Sequence, residues 1–267
     1  RLLKTYPTCI LSVVSDTWDL WKVVTEYLPI LKDEILARDG KLVIRPDSGN
    51  PADIICGVDV SKAEETRPFM CDTEIQYKVN GKWISWEEYN GVIELLWDIF
   101  GGTVNDKGYK VLDPHIGLIY GDSIGLHNLD EINSRLEAKG FATTNWVAGF
   151  GSYGYQYNTR DTFGFAMKAT YGEITTLKPK FSGDNNVEVE AREIFKDPVT
   201  DSGTKKSAKG LLQVYQTEGA HGKSKLQLKQ SCTWKEESQG LLQTVFKDGK
   251  LVKETTLDEI KERLGTL

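Results

Sequence analysis

The stretch KLVIRPDSGNP, residues 41–51, decides how the first half of this chain folds. The run KLVI at its start predicts a short buried strand, and the polar residues after it predict the tip of that strand. Pro51 suits the first turn of a helix, because a proline has no amide hydrogen to lose there, and Asn50 suits the capping position before it. The stretch therefore predicts a strand, a polar tip and a helix in direct succession.

The same pattern occurs four times in the first 150 residues, at residues 9–14, 41–44, 116–120 and 144–148. A helical stretch follows each of the first three runs, the third of them spanning about residues 126–139. Strands so continuously apolar are typical of parallel sheets buried on both faces by helices, which predicts an open doubly wound sheet or a (β/α) barrel. In both architectures ligands bind at the carboxyl ends of the strands, where Asp16, Asp47 and Asp122 fall.

The composition of the chain changes after about residue 158, where apolar runs become shorter and turns more frequent. We therefore expect a (β/α) domain over residues 1–158 and a β-rich second domain over residues 159–267. A hairpin with a type I′ turn at Asn80-Gly81 is expected in an insertion near 57–90, followed by a helix over 87–100. A second hairpin is predicted around Lys247-Asp248-Gly249, before a terminal helix capped by Thr255 or Thr256.

Composition excludes several functional classes. The chain of 267 residues has 33 basic and 39 acidic side chains and a net charge of −6, which argues against a general nucleic-acid or anionic-membrane binder. No apolar run is long enough to cross a bilayer. The four cysteines have no CxxC spacing and the three histidines lie far from them, which leaves no basis for a zinc site. Free thiols suit a reducing cytoplasm, which we expect as the location.

The strand tips carry groups that suit a phosphorylated sugar. Arg45 offers a planar fork for a phosphate or carbonyl, Asp47 accepts hydrogen bonds from hydroxyls or a metal-bound water, and Gly49 permits a turn that exposes amides. An Arg45–Asp47 ion pair that only fixes its own loop is an equal alternative. The glycine-rich tip at residues 149–154 could present amides to a phosphate but lacks the lysine of a Walker A loop. Basic residues downstream, including residues 205–209, are expected to be solvated surface.

Several of these motifs, in the same order and at similar distances, resemble the nicotinamide phosphoribosyltransferase family: SVVSD at 12–16, IRPDSGNP at 44–51, KGYK at 107–110, GD at 121–122, FGS at 150–152, TRD at 159–161, FKDP at 195–198 and TVFKDGK at 244–250. The resemblance implies an incomplete (β/α) barrel of the type II phosphoribosyltransferase kind with a second β-rich domain. It also implies transfer of a phosphoribosyl group from 5-phosphoribosyl 1-pyrophosphate (PRPP) to nicotinamide, in NAD biosynthesis. Mg²⁺ would accompany the pyrophosphate, and ATP would act as a stimulating co-substrate.

The resemblance also implies functions for individual residues. Arg45, Asp47 and Asp16 would be catalytic. The substrates would be bound by Ser12, Arg45, Pro46, Asp47, Gly121, Asp122, Gly154, Arg160, Lys168 and Lys196. No residue of the chain is expected to bind a metal by itself. The family shares its sites across a homodimer interface, so Arg160 and Lys168 would serve the neighbouring subunit.

The family's base-stacking aromatic residue, its amide-selecting aspartate and its phosphorylated histidine all precede the matching segment. Together with a first residue that is Arg1 rather than methionine, this predicts that the chain is the carboxyl-terminal part of a larger enzyme, which needs an amino-terminal segment or separate chain. Nicotinate phosphoribosyltransferase is the alternative enzyme, because amide and acid selectivity would lie in that segment. A non-catalytic binding or regulatory fragment is the alternative from another class.

Overall fold

The computed structural model describes residues 1–68, 75–121, 124–151, 167–179, 185–201, 205–218 and 224–265, together with residues 156, 158, 162 and 203. Contacts divide the chain into two compact units. The first comprises Arg1–Met167 and Lys196–Lys206, and the second comprises Lys168–Phe195 and Ser207–Leu267. The stretch Lys196–Lys206, here called the return segment, follows residue 158 in sequence and nevertheless packs with the first unit.

Among its described residues, the first unit contains the following elements in chain order: α1 Leu2–Thr5, β1 Leu11–Val14, α2 Leu20–Lys22, a π-helical turn Val23–Tyr27, α3 Leu28–Leu36, β2 Leu42–Arg45, α4 Pro51–Cys56, β3 Glu65–Pro68, β4 Ile75–Val79, β5 Lys82–Trp83, α5 Trp86–Asn90, α6 Val92–Phe100, β6 Gly102–Val104, β7 Lys110–Leu112, β8 Ile116–Tyr120, α7 Leu126–Ala138, a 3₁₀ turn Thr143–Asn145 and β9 Trp146–Ala148.

The four predicted strands form one parallel sheet in the order β1-β2-β8-β9. Each strand lies beside the one that precedes it in this series, so the described sheet contains no reversal of strand order of the kind that marks a doubly wound fold. Helices follow the first three strands as predicted, although a short antiparallel sheet, β3-β4-β5, and the pair β6-β7 intervene before β8. The mixed α/β class with a parallel sheet is confirmed.

The core lies on one face of this sheet. Leu42, Ile44, Ile116 and Leu118 are each no more than 5% exposed and pack with apolar residues of α3, α4, α6 and α7. Side chains alternate between the faces of a strand, and Val14 on the opposite face is 47% exposed. The expectation of strands buried on both faces is therefore wrong for the edge strand β1, because the described residues cover only one of its faces.

The insertion contains the predicted hairpin. Strands β4 and β5 pair across Asn80 and Gly81, whose φ angles of 51° and 75° suit a type I′ turn. The single helix expected over 87–100 is wrong, because Gly91 has a φ of 77° and separates α5 from α6. A positive φ interrupts helical geometry, and glycine adopts it without steric cost.

The second unit consists of paired strands and two short helices among its described residues: β10 Tyr171–Pro179, β11 Asn185–Glu193, β12 Gln213–Glu218, β13 Ser224–Lys229, α8 Trp234–Glu237, β14 Phe246–Lys247, β15 Lys250–Leu251 and α9 Leu257–Leu264. The strands pair as three antiparallel hairpins, the last of which turns at Asp248-Gly249 as predicted. Thr256 caps α9 by accepting a hydrogen bond from the Glu259 amide at 3.2 Å. None of the described helices is both long and apolar enough to cross a membrane.

Candidate active site at the carboxyl ends of the parallel strands

The turn after β2 has the conformation that its sequence predicts. Gly49 has a φ of 86°, which favours glycine, and Pro51 is the first residue of α4. The Asn50 side chain caps this helix by accepting hydrogen bonds from the amides of Ala52 at 2.9 Å and Asp53 at 3.2 Å. The Tyr120 hydroxyl at the end of β8 donates to the Gly49 carbonyl at 2.9 Å, so the tips of β2 and β8 are joined.

Asp16, at the end of β1, organises the same turn from the other side. Its side chain is fully buried, and its Oδ2 accepts hydrogen bonds from the Asp47 amide at 2.9 Å and the Ser48 hydroxyl at 2.5 Å. Its Oδ1 accepts no hydrogen bond among the described residues and lies 3.8 Å from the Lys196 ammonium. Asp16 therefore fixes the β2 tip, and its buried Oδ1 faces the Lys196 ammonium.

Asp47 pairs with two lysines of the return segment. Its Oδ1 accepts a hydrogen bond from Lys196 Nζ at 2.6 Å and lies 3.6 Å from Lys205 Nζ, which also donates to the Asp47 carbonyl. Burial raises the pKa of Asp47, but the hydrogen bond from Lys196 and the charges of both lysines outweigh it, so the pKa lies below its usual value. Asp47 is therefore ionised at neutral pH.

The return segment reaches the strand tips through its backbone as well. The Asp197 amide donates to the Thr17 carbonyl at 3.1 Å, and the Val199 amide donates to the Trp18 carbonyl at 2.7 Å. Further along, the Thr200 hydroxyl lies 2.6 Å from the Ser48 hydroxyl. Sequence reasoning predicted Lys196 through the FKDP motif but missed Thr200, and it interpreted Lys205 as solvated surface. The spacing of Thr200 and Lys205 in the sequence does not indicate a site, because only the packing of the return segment against the strand tips brings them there.

Arg45 is the exposed cation of the cluster. Its guanidinium lies over Gly121, where a Cβ would be 3.0 Å from Arg45 Nε. The alternative of an Arg45–Asp47 ion pair is wrong, because Asp47 pairs with the two lysines and no described acidic group pairs with Arg45. Ser12 is exposed on the same sheet face as Arg45, since Val14 is the register partner of Arg45 and side chains alternate along β1.

For two other predicted residues the structure shows only whether the side chain is buried or exposed. Pro46 is buried directly before Asp47. Lys168 is exposed in the second unit. Three remaining residues, and residues 152–154 of the glycine-rich tip, lie outside the described part of the chain and stay predictions: Asp122, Gly154 and Arg160.

The assembled groups suit a ligand with hydroxyls and negative charge. Two carboxylates, on Asp16 and Asp47, face the ammonium groups of Lys196 and Lys205. With the Arg45 guanidinium, which lies over Gly121 at the tip of the next strand, the formal sum of the five charges is +1. Carboxylates accept hydrogen bonds from hydroxyls, and ammonium and guanidinium groups bind phosphate oxygens. Within the described residues no group of three or more His, Cys, Asp or Glu side chains could hold a metal ion.

Residues 5–250 match the model of the nicotinate phosphoribosyltransferase (NAPRTase) family. The chain is also similar to curated proteins named nicotinamide phosphoribosyltransferase. It is 46% identical over 266 residues to that of Acinetobacter baylyi, which covers 97% of this chain and 45% of the relative. It is 37% identical over 222 residues to that of Mycoplasma pneumoniae, covering 80% of this chain and 41% of the relative. It is 30% identical over 256 residues to that of Xanthomonas campestris, covering 96% of this chain and 44% of the relative.

The chain thus spans less than half the length of these curated relatives. The match to the family model nevertheless extends over nearly the whole chain and includes the strand tips and the return segment. The chain belongs to the nicotinate phosphoribosyltransferase family.

Proposed function

We propose that this chain carries the phosphoribosyl-donor site of an enzyme that transfers the phosphoribosyl group of PRPP to nicotinamide. The products are nicotinamide mononucleotide and pyrophosphate, which places the reaction in NAD biosynthesis. One observation carries the proposal: two carboxylates and two ammonium groups meet at the strand tips, where β2 ends in Arg45, in a chain that belongs to this transferase family and is similar to enzymes named for nicotinamide.

The site chemistry follows from the charges of the cluster. In the reaction the bond between ribosyl C1 and the pyrophosphate oxygen breaks, and pyrophosphate leaves with the bonding electron pair. A bond then forms between C1 and the ring nitrogen of nicotinamide. Lys196, Lys205 and Arg45 would stabilise the negative charge that develops on the leaving group, and Asp47 would orient the ribose hydroxyls. Buried Asp16 would hold Asp47 in place by accepting a hydrogen bond from its amide. The preorganised turn keeps these groups in place before substrate binds.

The donor set also fits a Mg²⁺ ion that arrives with the pyrophosphate. Magnesium commonly binds proteins through one or two carboxylates while substrate phosphates and water complete its octahedron. The half-buried Asp47 carboxylate is the group that would hold it, directly or through water. When bound, the ion neutralises charge on the leaving group. Stimulation by ATP is proposed from the family alone.

The sheet supports a further proposal on architecture. A (β/α) barrel adds its strands in chain order, as β1, β2, β8 and β9 do, and lines its interior with the face opposite the helices. That face is half-exposed here, with Val14 at 47% and Val147 at 57%. We therefore propose that this sheet is part of a closed barrel. The strands that complete it would correspond to the part of the relatives that this chain does not match, and the same or a separate chain would supply them.

We also propose that the enzyme acts in the cytoplasm as a homodimer with shared sites, to which Arg160 and Lys168 contribute from the neighbouring subunit. Mixing an Asp47→Asn protein with a Lys168→Ala protein tests this arrangement. If sites are shared, mixed dimers regain part of the activity that each variant lacks, because one of the two sites in each mixed dimer is intact. Activity that stays at the level of the separate variants would contradict it.

The reaction is tested by incubating the protein, together with the chain that supplies the rest of the barrel where that chain is separate, with PRPP, Mg²⁺ and either nicotinamide or nicotinate, and quantifying mononucleotide by mass spectrometry. Nicotinamide should be the preferred substrate, and Arg45→Ala and Asp47→Asn should each lower the rate by about 100-fold or more. Arg192→Ala is the control, because Arg192 is exposed on β11 and pairs with Glu190. Near-normal rates in both site variants would refute the assignment, preference for nicotinate would favour the alternative enzyme, and no product from either base would favour a non-catalytic fragment.

A further inference from the structure

We propose that Thr200 is a positioning residue, which sets the return segment against the strand tips and thereby places the Lys196 and Lys205 ammonium groups for the pyrophosphate of the substrate. The inference deepens the proposed function and rests on it. Thr200 itself would contact no substrate. It would act through a hydrogen-bond chain and through the backbone on either side of it.

The direction of the hydrogen-bond chain identifies what the Thr200 hydroxyl does. Asp16 Oδ2, as a carboxylate oxygen, accepts, so the Ser48 hydroxyl must use its single proton to donate to it at 2.5 Å. In the 2.6 Å contact between Ser48 and Thr200, Ser48 can then only accept, and Thr200 donates. Ser48 is fully buried, so loss of this donor leaves a buried hydroxyl oxygen without its partner.

The backbone around Thr200 is in contact with the same turn. A Cβ on Gly49 would lie 2.8 Å from the Thr200 carbonyl oxygen, so the turn and the return segment are packed closely there. One residue earlier, the Val199 amide donates to the Trp18 carbonyl at 2.7 Å. The segment is therefore bound to the β1 tip through Val199 and to the β2 tip through Thr200. A shift at Thr200 changes the position of the segment relative to both tips.

The two lysines lie on either side of this attachment, four residues before and five residues after Thr200. Both reach the same acceptor, Asp47, through Nζ. Releasing Thr200 therefore loosens both ammonium groups together, whereas the Arg45 guanidinium belongs to β2 and stays in place. The expected result is weaker binding of pyrophosphate and of the phosphoribosyl donor, with little change in the KM for nicotinamide.

The test compares Thr200→Val, which keeps the shape and removes the hydroxyl, with Thr200→Ser, which keeps the hydroxyl. Thr200→Ala is a second hydroxyl-free variant if the valine variant misfolds. Thr144→Val is the matched control, because Thr144 is exposed in the 3₁₀ turn before β9. Binding of inorganic pyrophosphate with Mg²⁺ is measured by calorimetry, and the KM values for PRPP and nicotinamide are measured separately.

We expect the valine variant to bind pyrophosphate about tenfold more weakly, because the two lysine side chains would then have to be ordered on binding. The KM for PRPP should rise in parallel, while the serine and control variants stay within about twofold of wild type. Unchanged affinity in the valine variant, an equal loss in the serine variant, or absence of pyrophosphate binding by the wild type would each overturn the inference. If the wild type binds pyrophosphate but makes no mononucleotide, the proposed function fails, while the comparison of Thr200 variants still decides the positioning effect.

Discussion

Substitution of Gly121 by alanine tests whether the Arg45 guanidinium must lie where the structure places it. A Cβ on Gly121 would stand 3.0 Å from Arg45 Nε and 3.2 Å from Nη2, so the guanidinium would have to move by a few tenths of an ångström or more. Gly121 does not have a positive φ, so the backbone accepts alanine without strain. The exposed arginine side chain has room to move and relieves the contact. The expected effect is therefore a displaced guanidinium in an intact fold.

The size of the effect follows from this geometry. The free energy of unfolding should change by about 1 kcal/mol or less, because the crowded atoms belong to the end of a flexible side chain. The rate should fall by about 100-fold, the loss that a misplacement of about 1 Å causes when a group must meet a developing charge. A large loss of activity without loss of stability is the signature of the displaced guanidinium.

The assay is mononucleotide formation at saturating nicotinamide, together with urea unfolding of the same preparations. Gly117→Ala is the matched control, since Gly117 lies on β8, which ends directly before Gly121, and its Cβ would crowd only the flexible Lys41 side chain, at 3.3 Å. Gly121→Ala is also made in an Arg45→Ala background, where it should have little further effect. An unchanged rate in the single variant, or an equal further loss in the double variant, would refute the proposed action through Arg45.

Three other predictions concern charge, packing and thiol reactivity. Asp47→Asn should lower the free energy of unfolding, measured by urea titration, by a constant amount above about pH 4 and by less at lower pH. The reason is that the pKa of Asp47 is lowered in the folded protein, so its pairing stabilises the fold above the usual pKa of 3.8 and is lost as the pH falls through the lowered pKa. A difference that does not vary with pH would contradict this. Arg135→Ala should lower the free energy of unfolding by about 2 kcal/mol, because the Arg135 guanidinium of α7 donates to Asp53 of α4 at 3.1 Å and to the Gly57 carbonyl. A loss below about 0.5 kcal/mol would contradict that. Maleimide labelling at pH 7.5, mapped by mass spectrometry, should modify exposed Cys9 and leave Cys56 unmodified, because burial raises the pKa of the Cys56 thiol to about 12. Equal labelling of the two cysteines would show that Cys56 is accessible.

Local features of the fold could be predicted because their causes are local. Strand β8, helix α7, the type I′ turn at Asn80-Gly81 and the Asn50 cap all depend on residues within a few positions of one another. The break at Gly91 was missed although its cause is also local. Apolar periodicity continues through α5 and α6, and a glycine within such a pattern does not by itself indicate a positive φ.

The sequence by itself determined the order of strands, tips and helices, and with it the presence of Asp16, Arg45 and Asp47 at strand ends. Only the tertiary structure decided what these groups contact. Asp47 pairs with Lys196 and Lys205, which follow it by 149 and 158 residues, rather than with Arg45, two residues away. Periodicity reports only which face of an element is buried. The partners of a polar side chain depend on where distant segments return, and that return is set by packing across the whole unit.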